Sequence, residues 1–144
     1  MSNTDDRLAL HDLQVRYSLA LDTLQLEWLD DVFTADVVGD YQGMGELNGV
    51  QAIKDVVQGA LGPLDAVQHL NGNHWADIDG DTAVGGCYFR AHMYRAGVTG
   101  GEHFTIVGEY HDRFVRTAAG WRIAHRTLTA HSTMGNPAVR YADR

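Results

Sequence analysis

The stretch HFTIVGEYHDRFVRTAAGWRIAHRTLTAHST, residues 103–133, decides the fold. His103–Thr117 and Trp121–Thr133 are rich in β-branched and aromatic residues, and Ala118-Ala119-Gly120 separates them. Two such runs across a short link ending in glycine read as one long β-hairpin. Upstream, Thr82–Arg95 and Ala66–Ile78 have the same character. The Gly-rich stretch Ala96–Glu102 and the turn Asp79-Gly80-Asp81 supply their connections. The second half of the chain is therefore an antiparallel meander of four long strands.

Before Pro63 the pattern is helical. Thr4, Asp5 and Asp6 suit a helix start, where one side chain caps free amides and the acids complement the dipole. From there to Leu24, Leu10, Leu13, Tyr17, Leu21 and Leu24 form a stripe at spacings of three and four. Leu8, Val15 and Leu19 form a second, narrower stripe, so this helix is expected to be covered on two sides. Glu27–Phe33 reads as a short second helix and Val37–Gln42 as a short strand. A third helix over Gly49–Leu61 is expected, with Asn48 as its cap and Gly62-Pro63 as its stop. Helices first and a meander afterwards predict an α+β fold: three N-terminal helices on a curved antiparallel sheet, one domain over residues 1–144.

Composition removes several classes of function. The 144 residues are 44% hydrophobic and carry a formal net charge of -8, with no basic stripe, which argues against nucleic acid. The single cysteine, Cys87, excludes an internal disulfide and favours a reducing compartment. No apolar run approaches the ~20 residues needed to span a bilayer, and MSNTDDRLALHDLQ does not resemble a targeting signal. The expectation is a cytoplasmic protein with neither membrane nor nucleic-acid partner. There is no G-x-S-x-G elbow, no P-loop and no G-x-G-x-x-G after a strand. Eight histidines invite a metal, but no H-x-H or H-E-x-x-H spacing occurs, so no metal site is expected.

The candidate chemistry lies at Tyr17, Asp22, Tyr41 and His69. A carboxylate beside an imidazole fixes its tautomer and stabilises its protonated form, which makes a general base near neutral pH. Two phenols nearby can polarise a carbonyl or guide a leaving group. Asp22 falls beside the second stripe, and its wheel position leaves two readings: a pocket acid, or a solvated acid near a helix end. Strand alternation puts Asn71, Asn73 and Trp75 on the His69 face. Neither face of that strand is plainly apolar; a polar-lined cavity, an exposed face or a bulge each accounts for it. In the next strand Tyr88, Arg90, His92 and Tyr94 share a face. His92 reads either as a second pocket imidazole or as an interface residue, and a bulge near Gly85-Gly86 would exchange the faces.

GEYHDRFVRTAAGWRIAHRTL, Gly108–Leu128, resembles the G-x-Y-x-D-x-F/L…G-W-R-I…R signature of the SnoaL-like branch of the nuclear transport factor 2 superfold. The resemblance spans nearly the whole chain and implies a cone-shaped α+β barrel with a hydrophobic interior. A narrower resemblance is to scytalone dehydratase, bile acid 7α-dehydratase and hexachlorocyclohexane dehydrochlorinase, which share an Asp near the end of the first helix and a His after the third. Asp22 and His69 stand at those places. Tyr17 and Tyr41 match pocket tyrosines of the dehydratases, and His92 matches an assisting His or Asp. Leu21 stands where scytalone dehydratase has a tyrosine. The resemblance implies a cofactor-independent lyase, assembled as a homotrimer or homodimer through the outer sheet face. Its catalytic residues are Asp22, His69, Tyr17, Tyr41 and His92. Arg126, Asn71, Trp75 and Tyr88 would contact a small cyclic hydrophobic substrate. An isomerase or polyketide-type cyclase would begin with the same proton abstraction, and a non-catalytic ligand-binding module remains a third reading.

Overall fold

The structure, a computed structural model, describes residues 3–141. Helix α1 (Asn3–Thr23) is followed by a 3-10 turn (Leu26–Asp31), strands β1 (Phe33–Tyr41) and β2 (Glu46–Asn48), and helix α2 (Val50–Leu61). Strands β3 (Ala66–Asp79), β4 (Thr82–Tyr94), β5 (His103–Thr117) and β6 (Gly120–Gly135) come next, then the short helix α3 (Ala138–Tyr141). The strands form one six-stranded sheet in the order β2-β1-β6-β5-β4-β3. The chain is thus α+β, with helices held in the concave side of a curved sheet.

The sheet is curved and open, with β2 and β3 as its two edges. One feature of the expected sheet is corrected: it is not wholly antiparallel, because β1 pairs in parallel with β6, Val38 to Tyr41 lying against His125 to Leu128. The strand expected at Val37–Gln42 begins earlier, at Phe33, which takes the end of the expected second helix and leaves only a 3-10 turn there. Phe33 and Val37 are buried where β1 meets β6, and this long-range pairing overrides local helix preference.

α1 buries Leu10, Leu13, Tyr17 and Leu21 against the sheet. Its second stripe is not covered: Leu8, Val15 and Leu19 are 64%, 38% and 50% exposed. The start of α1 is tied to the far end of the β5–β6 hairpin. Asp6 accepts from Arg116 Nη1 and Nη2 at 2.8 and 3.0 Å and from the Trp121 indole at 2.9 Å. Asp6 is therefore a buried anchor and not only a dipole partner. α2 is amphipathic, burying Ile53, Val57 and Leu61. Gly49, and not Asn48, occupies its cap position at φ 89°, a conformation that favours glycine.

An edge strand exposes unpaired backbone groups, and α1 covers those of β3. Asp22 accepts the His69 N–H at 3.0 and 3.1 Å, Asn71 Nδ2 donates to the Gln14 carbonyl at 3.2 Å, and Arg7 donates to the Ala76 carbonyl at 2.7 Å. These bonds lay α1 along β3, with its C-terminal turn beside His69 and its N-terminal part beside Ala76. Among the described residues no helix is long and apolar enough to cross a membrane.

Candidate active site

β3 carries His69 inward because its register with β4, His69 opposite Ala91, puts the even-numbered neighbours Gln68 and Leu70 on the outer face. The alternation then breaks. The register shifts between Gly72 and Trp75, and Asn73 adopts φ 52°, so one extra residue is accommodated and the faces exchange. His74, Ala76 and Ile78 turn inward beyond this bulge, while Trp75 is 44% exposed. The bulge lies in β3 and not at Gly85-Gly86, where β4 keeps continuous register.

The structure brings Asp22 and His69 together. His69 Nδ1 and Asp22 Oδ1 are 2.6 Å apart, and both side chains are largely buried, at 6% and 18% exposure. Asp22 thus binds both the ring and the backbone N–H of the same residue, which fixes the ring plane and its Nδ1–H tautomer. With Nδ1 engaged, Nε2 is the nitrogen left for a ligand.

His69 lines a cavity of about 660 Å³ between the helices and the sheet. Its walls are mainly apolar, with Leu21 and Val57 from the helices and Phe89, Met93, Ile106 and Leu128 from the strands. Tyr17 and Tyr41 also line it, and their hydroxyls share a hydrogen bond of 2.8 Å. Tyr110, the tyrosine of the Gly108–Leu128 signature, forms part of the same wall; Phe89 stacks on it with ring centroids 4.5 Å apart. Gly108 makes that stack possible, since a Cβ there would lie 2.2 Å from the Thr129 carbonyl oxygen and 2.9 Å from the Phe89 ring. Burial raises the pKa of all three phenols, so they are neutral hydrogen-bond donors at neutral pH.

Other expected site residues stand elsewhere. Arg126 does not reach the cavity. It is 0% exposed and donates through Nε and Nη2 to the two Asp112 oxygens, each at 2.8 Å, and through Nη2 to the Gln14 side-chain oxygen. Burial opposes its charge, but Asp112 more than offsets this, and Arg126 stays cationic. Its Cζ sits 4.4 Å from the Tyr17 ring centroid and 4.0 Å from that of Tyr110. Asn71 is a tether: its Nδ2 donates to Ser18 Oγ at 2.7 Å as well as to Gln14, and it does not line the cavity.

His92, Tyr88 and Trp75 are outside the cavity altogether. Ala91 and Phe89 take the inward positions of β4, so His92 faces outward, bonded to Thr105 Oγ1 at 2.7 Å and to His103 at 3.0 Å. Tyr88 is 53% exposed beside His131. Asp112 and Gln14 are the partners of Arg126, and in the sequence only the Asp of the signature signals the pair. Among the described residues no group of three or more His, Cys, Asp or Glu side chains is arranged to hold a metal ion.

Comparison with known proteins places this geometry in a family. An uncharacterised protein of Mycobacterium tuberculosis, Rv2910c, is 35% identical over 133 residues, covering 90% of this chain and 88% of its own. The Kfla4162 protein of Kribbella flavida superimposes with a TM-score of 0.90 at 26% identity, over 98% of this chain and 100% of its own. A hexachlorocyclohexane dehydrochlorinase, LinA type 2, shares the fold at a TM-score of 0.82 and 18% identity, over 97% of this chain and 95% of its own. The SnoaL-like domain model matches residues 2–127. The chain belongs to the SnoaL-like family.

Proposed function

We propose that this chain is a cofactor-independent lyase that removes water, or halide, from a cyclic hydrophobic molecule. The observation that carries the reading is the His69 imidazole, held through Nδ1 by Asp22 at 2.6 Å and lining an apolar cavity that also contains a phenol pair. The likeness in shape to a dehydrochlorinase is in keeping with it.

Neutral His69 takes a proton through Nε2 from a carbon next to a carbonyl. Asp22 stabilises the imidazolium that results. The electron pair left on carbon is drawn toward the carbonyl oxygen, whose growing charge is met by a hydroxyl of the Tyr17–Tyr41 pair. The pair then forms the C=C bond as the bond to the departing hydroxyl breaks. The hydroxide takes the proton held by His69 and leaves as water, which returns the imidazole to its starting state. A positioned base supplies ~10²–10⁴-fold, so the phenols must supply much of the remainder. The outer sheet face, carrying Tyr88 and His92, is the surface through which we expect the chain to self-associate.

A second reading, isomerisation, is favoured by the same phenol pair, which would hold an enolate while His69 returns the proton to another carbon. Mass spectrometry of hydroxylated cyclic ketones and steroids incubated with the protein separates the two. Loss of one water supports the lyase. Unchanged mass with a moved double bond supports the isomerase. Tight binding without any turnover supports a binding module and sinks both.

A further inference from the structure

We propose that Arg126 is a positioning residue that polarises the phenol pair from behind, so that Tyr17 donates to Tyr41 and Tyr41 presents its own proton to the ligand oxygen. This rests on the cavity being the elimination site and deepens that reading by ordering the donors within it.

Three observations carry the inference. Arg126 is fully buried and does not line the cavity, so it acts on a ligand only through what it touches. It lies over the ring faces of Tyr17 and Tyr110, with Asp112 and Gln14 holding its guanidinium in place. The Tyr17 and Tyr41 hydroxyls are 2.8 Å apart, so one of them must be donor and the other acceptor.

A cation over the face of a phenol ring stabilises negative charge in that ring and strengthens its O–H as a donor. Arg126 stacks on the Tyr17 ring, so the two hydroxyls are not equivalent. The stronger donor, Tyr17, gives its proton to the shared bond. Tyr41 accepts there and retains a free O–H. Its position suits the terminal role: it ends β1, and the next residues, Gln42, Gly43 and Met44, continue along the cavity wall. Burial raises both phenols, Tyr41 further, and Arg126 opposes the rise at both, its guanidinium lying over the Tyr17 ring. Charge is thus passed by polarisation from Arg126 through Tyr17 to Tyr41, without any proton leaving the pair. Such a relay favours ligands that place a localised oxyanion at Tyr41, as an enolate or a phenolate does.

The probe is 4-nitrophenolate, a cyclic oxyanion that needs no turnover, with its Kd measured by calorimetry. Tyr41→Phe removes the direct charged hydrogen bond and is expected to weaken binding about tenfold or more. Tyr17→Phe removes only the polarising partner and is expected to cost about threefold, as is Arg126→Lys, which keeps the charge and loses the planar stack. Equal losses at the two tyrosines, a larger loss at Tyr17, or no binding to the unmodified protein overturns the relay. Should Arg126→Lys fail to fold, carbon-13 NMR of Cζ-labelled tyrosines in the unmodified protein decides. Tyr17 is expected to ionise at lower pH than Tyr41, and the opposite order overturns the proposal. Phenolate binding with the expected order but no elimination of any substrate would leave the relay standing and remove the lyase reading.

Discussion

Asp22 grips His69 twice: its carboxylate accepts the backbone N–H at 3.0 and 3.1 Å and the ring Nδ1–H at 2.6 Å. The last turn of α1 is thereby fixed to β3 and the imidazole to one orientation. Asp22→Asn keeps the shape and one acceptor but removes the charge that stabilises imidazolium. Turnover is expected to fall by ~10² or more while the fold persists. Steady-state rates beside circular dichroism of the same preparation check this; full activity in the folded variant would mean that the charge does not matter.

The Arg126–Asp112 pair is closed off from solvent, and breaking one side leaves an uncompensated buried charge. Arg126→Met is expected to destabilise the protein by ~3–5 kcal/mol. The double change Arg126→Met with Asp112→Leu removes both charges and should recover part of that loss. Urea unfolding of the three proteins measures it, and a single variant as stable as the parent would contradict the buried charge pair.

How much of this was legible in the sequence can be judged from β3 and β6. The period-2 pattern located the long strands, and the helix-end position of Asp22 with His69 opening β3 put the two on facing elements. What local pattern could not contain was the extra residue at Gly72–Trp75, which depends on Asn73 taking a positive φ. That single residue moves Trp75 from the His69 face to solvent. Arg126 stands outside the cavity for a different reason. Its partners Asp112 and Gln14 come from β5 and α1, and only the assembled fold shows that its charge is already neutralised. The parallel pairing of β1 with β6 is likewise a contact between distant parts of the chain, invisible to any short window.

His92, Tyr88 and Trp75 do not line the cavity that holds His69, and the proposed chemistry makes no use of them. His92→Ala, Tyr88→Ala and Trp75→Ala are each expected to leave the rate constant of the monomer-normalised protein within about twofold of the parent, since exposed sites away from the cavity contribute little. A loss of tenfold or more in a variant that keeps its assembly state would put that residue back in the site.

Asp6 links stability to acid. Hydrogen bonds from Arg116 and then Trp121 lower its pKa from 3.8 to about 2. A carboxyl whose folded pKa is depressed contributes stability that is complete above its unfolded value and lost as pH falls through the folded one. The contribution is therefore present above pH 3.8 and disappears toward about pH 2. Thermal unfolding between these limits should fall more steeply with acid for the parent than for Asp6→Asn. Parallel curves would show that Asp6 is not coupled to folding.

The central claim is that His69 is the base. The direct measurement is the initial rate of water loss, followed on a substrate confirmed by mass spectrometry, for purified His69→Ala beside the parent. The rate is expected to fall by ~10²–10⁴-fold with the fold intact. A folded His69→Ala protein that works at close to the parental rate would contradict the assignment and leave only the fold standing.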